Sequence, residues 1–110
     1  MSADGVWRIE QVTVDGWEPA GVAFLENGRY LRGGVDACTV GRYELDGDRI
    51  TITAKTTRFG SGSPVYGTKS GEIGITLTGE VKGGEMTADA TDGKYVTSYR
   101  YHRIGDMPKG

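Results

Sequence analysis

The sequence predicts an all-β protein, an eight-stranded antiparallel up-and-down barrel, with a two-sheet β-sandwich as the alternative. Three observations carry that prediction. Apolar and polar residues alternate with a period of two along most of the chain, and helical periodicity is almost absent. Turn dipeptides containing glycine punctuate the alternation at short intervals. The 110 residues include 19 glycines, far above the ~7% average, spread along the chain as tight turns would spread them.

The first predicted strand covers 5–14, with Trp7 and Ile9 on one face and Arg8 and Glu10 on the other. Beyond Gln11 the apolar phase slips to Val12 and Val14, which predicts a bulge or a break. A second strand, 19–26, runs into "ENGR", where Asn-Gly supplies the two positive-φ residues of a type I′ turn. The third strand, 29–36, contains Gly33 and Gly34, read as a kink that turns a barrel corner. The fourth, 39–45, ends in the turn "LDGDR".

The fifth strand, 49–58, sets Ile50, Ile52 and Ala54 against Thr51, Thr53 and Lys55. It leads into "RFGSGSPVYG" (58–67), the longest irregular stretch. The sixth, 71–81, presents Ile73, Ile75 and Leu77 on one face, and "KGGE" turns it into the seventh, 85–91, with Met86, Ala88 and Ala90. After "TDGK" the eighth, 94–104, places Tyr95, Tyr99 and Tyr101 opposite Arg100 and His102. Short turns make neighbours antiparallel, and closing the meander removes both exposed edges. Sandwich crossovers need longer connections than most of these.

A barrel of eight strands is filled by side chains or holds one small ligand. Alternation makes Trp7, Tyr43, Tyr99 and Tyr101 lining residues, together with Ile9, Ile50 and Ile75. The tyrosine hydroxyls would pair inside a filled core or orient a small apolar ligand.

Residues 1–110 read as one domain, with 1–4 and 105–110 as loose termini. A net charge of -2 argues against nucleic acid, whose binding rests on Lys and Arg at phosphates. No polybasic run addresses an anionic membrane surface. "MSADGVWRIE" lacks a signal-peptide pattern, no apolar run reaches the ~18 residues of a membrane span, and a single cysteine forms no internal disulfide. The expectation is a cytoplasmic domain.

The chemistry-bearing residues are few. His102 is the only histidine and has no second ligand at metal spacing, so no metal or cofactor is predicted. The carboxylates of "ELDGDR" (44–49) read as a solvated turn, short of an EF-hand loop. Nucleophilic catalysis would need Cys38 with His102 as base and Asp36 as its orienter. A lone strand cysteine reads instead as a small buried hydrophobe, and no enzyme is predicted. "GSGSP" and "RGG" precede no helix, so neither is a phosphate loop.

"GVW" at 5–7 is similar to the Gly-x-Trp signature that opens lipocalin barrels. There the Trp plugs one end and often lies beneath an Arg of the last strand, a place that Arg100 or Arg103 would take here. The longer layout "DGVWRI … GVAFLENGRYLRGGVDACTVGRYELDGDRITI", residues 4–52, resembles the GrlR-like family, small bacterial proteins named for a negative regulator of type III secretion. The shared order is Asp4-Gly5 with Trp7, a short strand, a Gly turn, Gly33-Gly34 with Asp36 nearby, then a Gly and an acidic hairpin. The resemblance implies a lipocalin-like barrel, often a homodimer, that acts as a regulator or adaptor by binding a protein partner. In the named regulator an acidic run in that hairpin helps capture a transcriptional activator. The matching residues here are Glu44, Asp46 and Asp48, interrupted by Leu45 and Gly47.

Overall fold

The computed structural model describes residues 3–33, 37–58, 71–94 and 96–106. It contains eight strands: β1 (Gly5–Thr13), β2 (Gly16–Glu26), β3 (Arg29–Gly33), β4 (Ala37–Asp46), β5 (Arg49–Arg58), β6 (Gly71–Lys82), β7 (Glu85–Thr91) and β8 (Val96–Gly105). Each pairs antiparallel with the next, and β8 returns to β1, so the sheet is a closed up-and-down barrel. The predicted fold class is therefore the observed one. The Asn27–Gly28 turn has the expected positive φ angles of 50° and 78°.

The first hairpin departs from expectation. β1 and β2 join through the two-residue turn Val14-Asp15, closed by the Thr13–Gly16 pair, with Gly16 at a positive φ of 106°. The irregularity lies in β2 and not beyond Gln11. Ile9 stands opposite Gly21 and Glu10 opposite Pro19, which leaves Ala20 as the extra residue of a bulge. Proline has no N–H for a ladder bond, so it settles where the ladder is broken. β1 itself keeps its phase, and Val12 points outward beside Trp17.

The corner glycines also differ from those expected. A Cβ on Gly33 would meet nothing within 4 Å, and Gly34 lies outside the described residues. The close approaches are at Gly41, whose Cβ would fall on the Thr53 carbonyl oxygen, and Gly79, whose Cβ would fall on that of Thr87. At both points the sheet curls tightly enough that only hydrogen fits on the inner face.

The predicted inward faces are the core. Trp7, Ile9, Ile50, Ile52, Leu77 and Met86 are fully buried. Each such side chain contributes roughly 1.5–3 kcal/mol by leaving water. One end of the barrel carries the turns after β2, β4 and β6, laced by three backbone bonds: Tyr43 N–H to Gly28 O (2.8 Å), Val81 N–H to Asp48 O (2.7 Å) and Arg103 N–H to Gly84 O (2.8 Å).

The N-terminal segment plugs this end. Ala3 is buried and its carbonyl accepts the Trp7 indole N–H at 3.0 Å. The Asp4 carboxylate accepts the Asn27 N–H at 3.1 Å and the Tyr43 hydroxyl, while Arg103 Nη2 donates to the Asp4 carbonyl at 3.0 Å. Residues 3 and 4 are thus tied down rather than loose. The C-terminal strand runs on to Gly105, and 107–110 lie outside the described residues.

Candidate functional site

Along the outer face of β4 the exposed side chains are Val40, Arg42, Glu44 and Asp46 in order. The hairpin register sets Val40 beside Leu31 on β3, and Leu31 beside Phe24 on β2. These three apolar residues are 56%, 47% and 37% exposed, so they form one water-facing row across three strands. A groove of about 540 Å³ follows the row, flanked by Glu26, Arg29 and Arg42. Arg29 is held by Glu26 at 2.6 Å.

The acidic hairpin lies beyond Arg29 and Arg42 on the same wall. Glu44, Asp46 and Asp48 are all exposed, and among the described residues none of them forms an ion pair. The structure therefore brings the three sequence-predicted carboxylates to one tip, on the same wall as an apolar row that the sequence reading did not identify and separated from it by Arg29 and Arg42. The signal for that row was present. With Ala23 and Leu25 inward, the Asn27–Gly28 turn fixes Phe24 and Leu31 outward together.

The four predicted lining residues do face inward: Trp7, Tyr99 and Tyr101 are 0–1% exposed and Tyr43 is 9% exposed. The sequence reading missed Tyr30 and Arg32 as their companions. In "RYLR" the adjacent Tyr30 and Leu31 compete for the inner face, and only the pairing of Tyr30 with Leu25 decides between them. The Tyr30 and Tyr101 hydroxyls share a hydrogen bond of 2.7 Å. Burial pushes Tyr30 up to about 12 and Tyr101 well above the ordinary tyrosine value. Tyr95 lies outside the described residues.

Arg32 is a cation on the inner face. Its Nη2 donates to the carbonyl of Ala20 at 3.0 Å, and its guanidinium carbon lies 4.9 Å from the centre of the Tyr99 ring. Burial alone would lower its proton affinity, but the neighbouring tyrosines, Tyr99 first, leave the net direction upward. The guanidinium stays charged.

On the outside, Glu10 collects Arg100 Nε and His102 Nε2, each at 2.8 Å. Those hydrogen bonds, Arg100 before His102, hold its carboxyl below the usual carboxylate range. Arg100 lies 4.5 Å over the Trp17 ring, and His102 Nδ1 is 3.5 Å from Glu85. Of the two arginines that the lipocalin resemblance offers, Arg103 is the one in register with Trp7. Arg100 belongs to the outer wall.

Cys38 corrects the packing expectation: it is a half-buried free thiol on the outer face, between Gly33 and Thr57. His102 stands in the same outer row, reached through Arg8, Val22 and Gly33. Four strands apart in a closed barrel of eight, the two stand outward on opposite walls, so no Cys–His pair is assembled. Asp36 lies outside the described residues. Among the described residues no group of three or more His, Cys, Asp or Glu could hold a metal ion, and no helix is long and apolar enough to cross a membrane.

Fold and surface together define a small closed antiparallel barrel with an aromatic interior and a partly apolar outer wall. No family model matches the chain, and no curated protein matches it in sequence.

Proposed function

We propose that this barrel is a non-enzymatic cytoplasmic regulator or adaptor that holds a protein partner on its outer wall, as the GrlR-like resemblance implies. The observation that carries the reading is that one outer wall bears both the Phe24–Leu31–Val40 row and, beyond Arg29 and Arg42, the acidic tip at Glu44, Asp46 and Asp48. Apolar area supplies affinity, and unpaired carboxylates on the same wall supply complementarity to a basic partner. A DNA-binding regulator, basic by necessity, is the partner class that fits both this charge and the family resemblance. A small apolar ligand among Trp7, Tyr99 and Tyr101 is less favoured, because these side chains leave almost no accessible surface and would have to be displaced.

The test uses a photo-cross-linking residue at Leu31 in the native host, with the same residue at Thr78 on the opposite outer wall as control. The reading expects a protein adduct from position 31 that is absent from position 78. It also expects the adduct to weaken about tenfold or more when Asp46 and Asp48 are both changed to Lys. Equal adducts from both positions, or an adduct indifferent to the charge reversal, would sink it. An adduct of twice the chain mass would reassign the groove to self-association.

A further inference from the structure

We propose that Arg32 is the head of a binding site for a small organic carboxylate on the inner face of the barrel wall. This site is independent of the outer-wall reading. Arg32 lies on the inner face of β3, one residue before the strand ends, and is only partly covered. A guanidinium carries five N–H donors. Here Nη2 donates to Ala20 O at 3.0 Å and Nη1 makes a long contact of 3.4 Å with the Tyr99 hydroxyl. No carboxylate pairs with it among the described residues, whereas Arg8, Arg29, Arg100 and Arg103 each have one.

The arrangement fixes the cation without neutralising it. The β2 bulge at Ala20 turns that carbonyl toward the guanidinium, and the Tyr99 ring lies beneath it. Both contacts orient the planar fork, and neither supplies negative charge. Desolvating a cation without a counter-ion is costly, and a partly covered guanidinium recovers that cost by taking an anion. Around it the inner wall is small and hydroxylated: Ala20, Ala23, Thr39 and Thr56, the two threonines hydrogen-bonded to each other at 2.8 Å. Large side chains fill the barrel toward the N-terminal plug, whereas Arg32 is only partly buried.

The single charge selects the ligand class. A carboxylate matches one guanidinium in charge and in two-point geometry. A phosphate dianion would need a second cation, and the other inward-phase arginine, Arg103, is engaged at the opposite end with Asp4 and Asp106.

The experiment titrates the intact chain with benzoate, with neutral benzamide and with inorganic phosphate, following the Arg32 Nε–Hε resonance and the heat of binding. Benzoate should bind about tenfold or more tightly than benzamide, as expected when a charged partner replaces a neutral one, and should shift the Arg32 resonance. Arg32→Gln should abolish the preference. Tyr99→Phe, which keeps the ring and removes only the hydroxyl, should retain it. Equal binding of benzoate and benzamide, or a preference that survives Arg32→Gln, would overturn the proposal. So would a benzoate response confined to the resonances of Arg42 or Arg103. Tighter binding of phosphate would overturn the ligand class. The resonance readout needs only the wild-type chain, so a poorly folded Arg32→Gln still leaves a decision.

Discussion

The Tyr30–Tyr101 pair gives a sharp test of how this interior is held together. Both side chains are 0–1% exposed and their hydroxyls are 2.7 Å apart. Changing either to Phe removes one partner and strands the other hydroxyl in the core. That costs about 2 kcal/mol, the desolvation of one unsatisfied polar group. Changing both removes the stranded group along with the bond, so the double variant should lose only about 1 kcal/mol. The cycle therefore predicts a coupling of about 3 kcal/mol between the two hydroxyls. Urea unfolding is the assay, and each single variant should also melt about 8 °C lower.

The same pair has an alkaline signature. Tyr30 releases its proton at about 12 in the folded chain, against 10.0 for an ordinary tyrosine. A folded-state value above the unfolded one gives stability that is complete below pH 10 and lost as pH rises toward 12. At about 1.4 kcal/mol per pH unit that loss approaches 3 kcal/mol. Tyr30→Phe should lose correspondingly less over that range. Additive single-variant costs, together with an unchanged alkaline limb, would refute the reasoning.

Three further outcomes are expected. Gly79→Ala should destabilise the barrel by more than about 3 kcal/mol or prevent folding, because its methyl falls on the Thr87 carbonyl, whereas Gly33→Ala should change the urea midpoint negligibly. Glu10 is held below the usual carboxylate range by Arg100 and His102, so its contribution is present near neutrality and is lost as pH falls through its folded-state value. Urea midpoints measured from pH 6 to 3 should therefore fall less steeply for Glu10→Gln than for wild type. Deleting residues 1–4 should cost about 2 kcal/mol by removing the acceptor of the Trp7 indole and the Asp4 links. In a Trp17→Phe background the deletion should also red-shift the Trp7 emission.

The fold was legible because hairpin chemistry and alternation agree from Arg29 onward. The two-residue turn at Asn27–Gly28 and the Asp-Gly turns set registers that the alternation of Ile50, Ile52, Ile75 and Leu77 then satisfies. The first hairpin was less legible: the second strand is predicted only from residue 19, whereas it begins at Gly16 and Pro19 marks the far side of a bulge. The corner glycines were not legible at all. Gly41 and Gly79 differ from Gly33 only in what the neighbouring strand brings near them, and that depends on closure of the whole barrel. The acidic tip could be read from its own residues, whereas the apolar row could be read only after pairing three strands. Arg32 escaped because charge argues for the outside. Its phase, two residues from Tyr30, argued for the inside and prevailed.

Leu31 and Arg32 are adjacent in the chain and point to opposite faces of the same short strand. A barrel wall one strand thick thus puts the proposed partner surface and the proposed carboxylate site back to back, with no shared side chain. Their failures are separable for that reason. Leu31→Glu should abolish partner cross-linking monitored from Phe24 while leaving the benzoate response of Arg32 unchanged. Arg32→Gln should do the reverse. If either substitution disturbed both, the wall between the sites would be transmitting a shift in β3. The bond from Arg32 to the Ala20 carbonyl, which ties β3 to the β2 bulge at 3.0 Å, is the contact through which such a shift would pass. Occupancy inside the barrel would then set the position of the strand that carries Leu31. In that case the two sites would be one regulated surface, and benzoate would change partner affinity by the same factor as partner changes benzoate affinity.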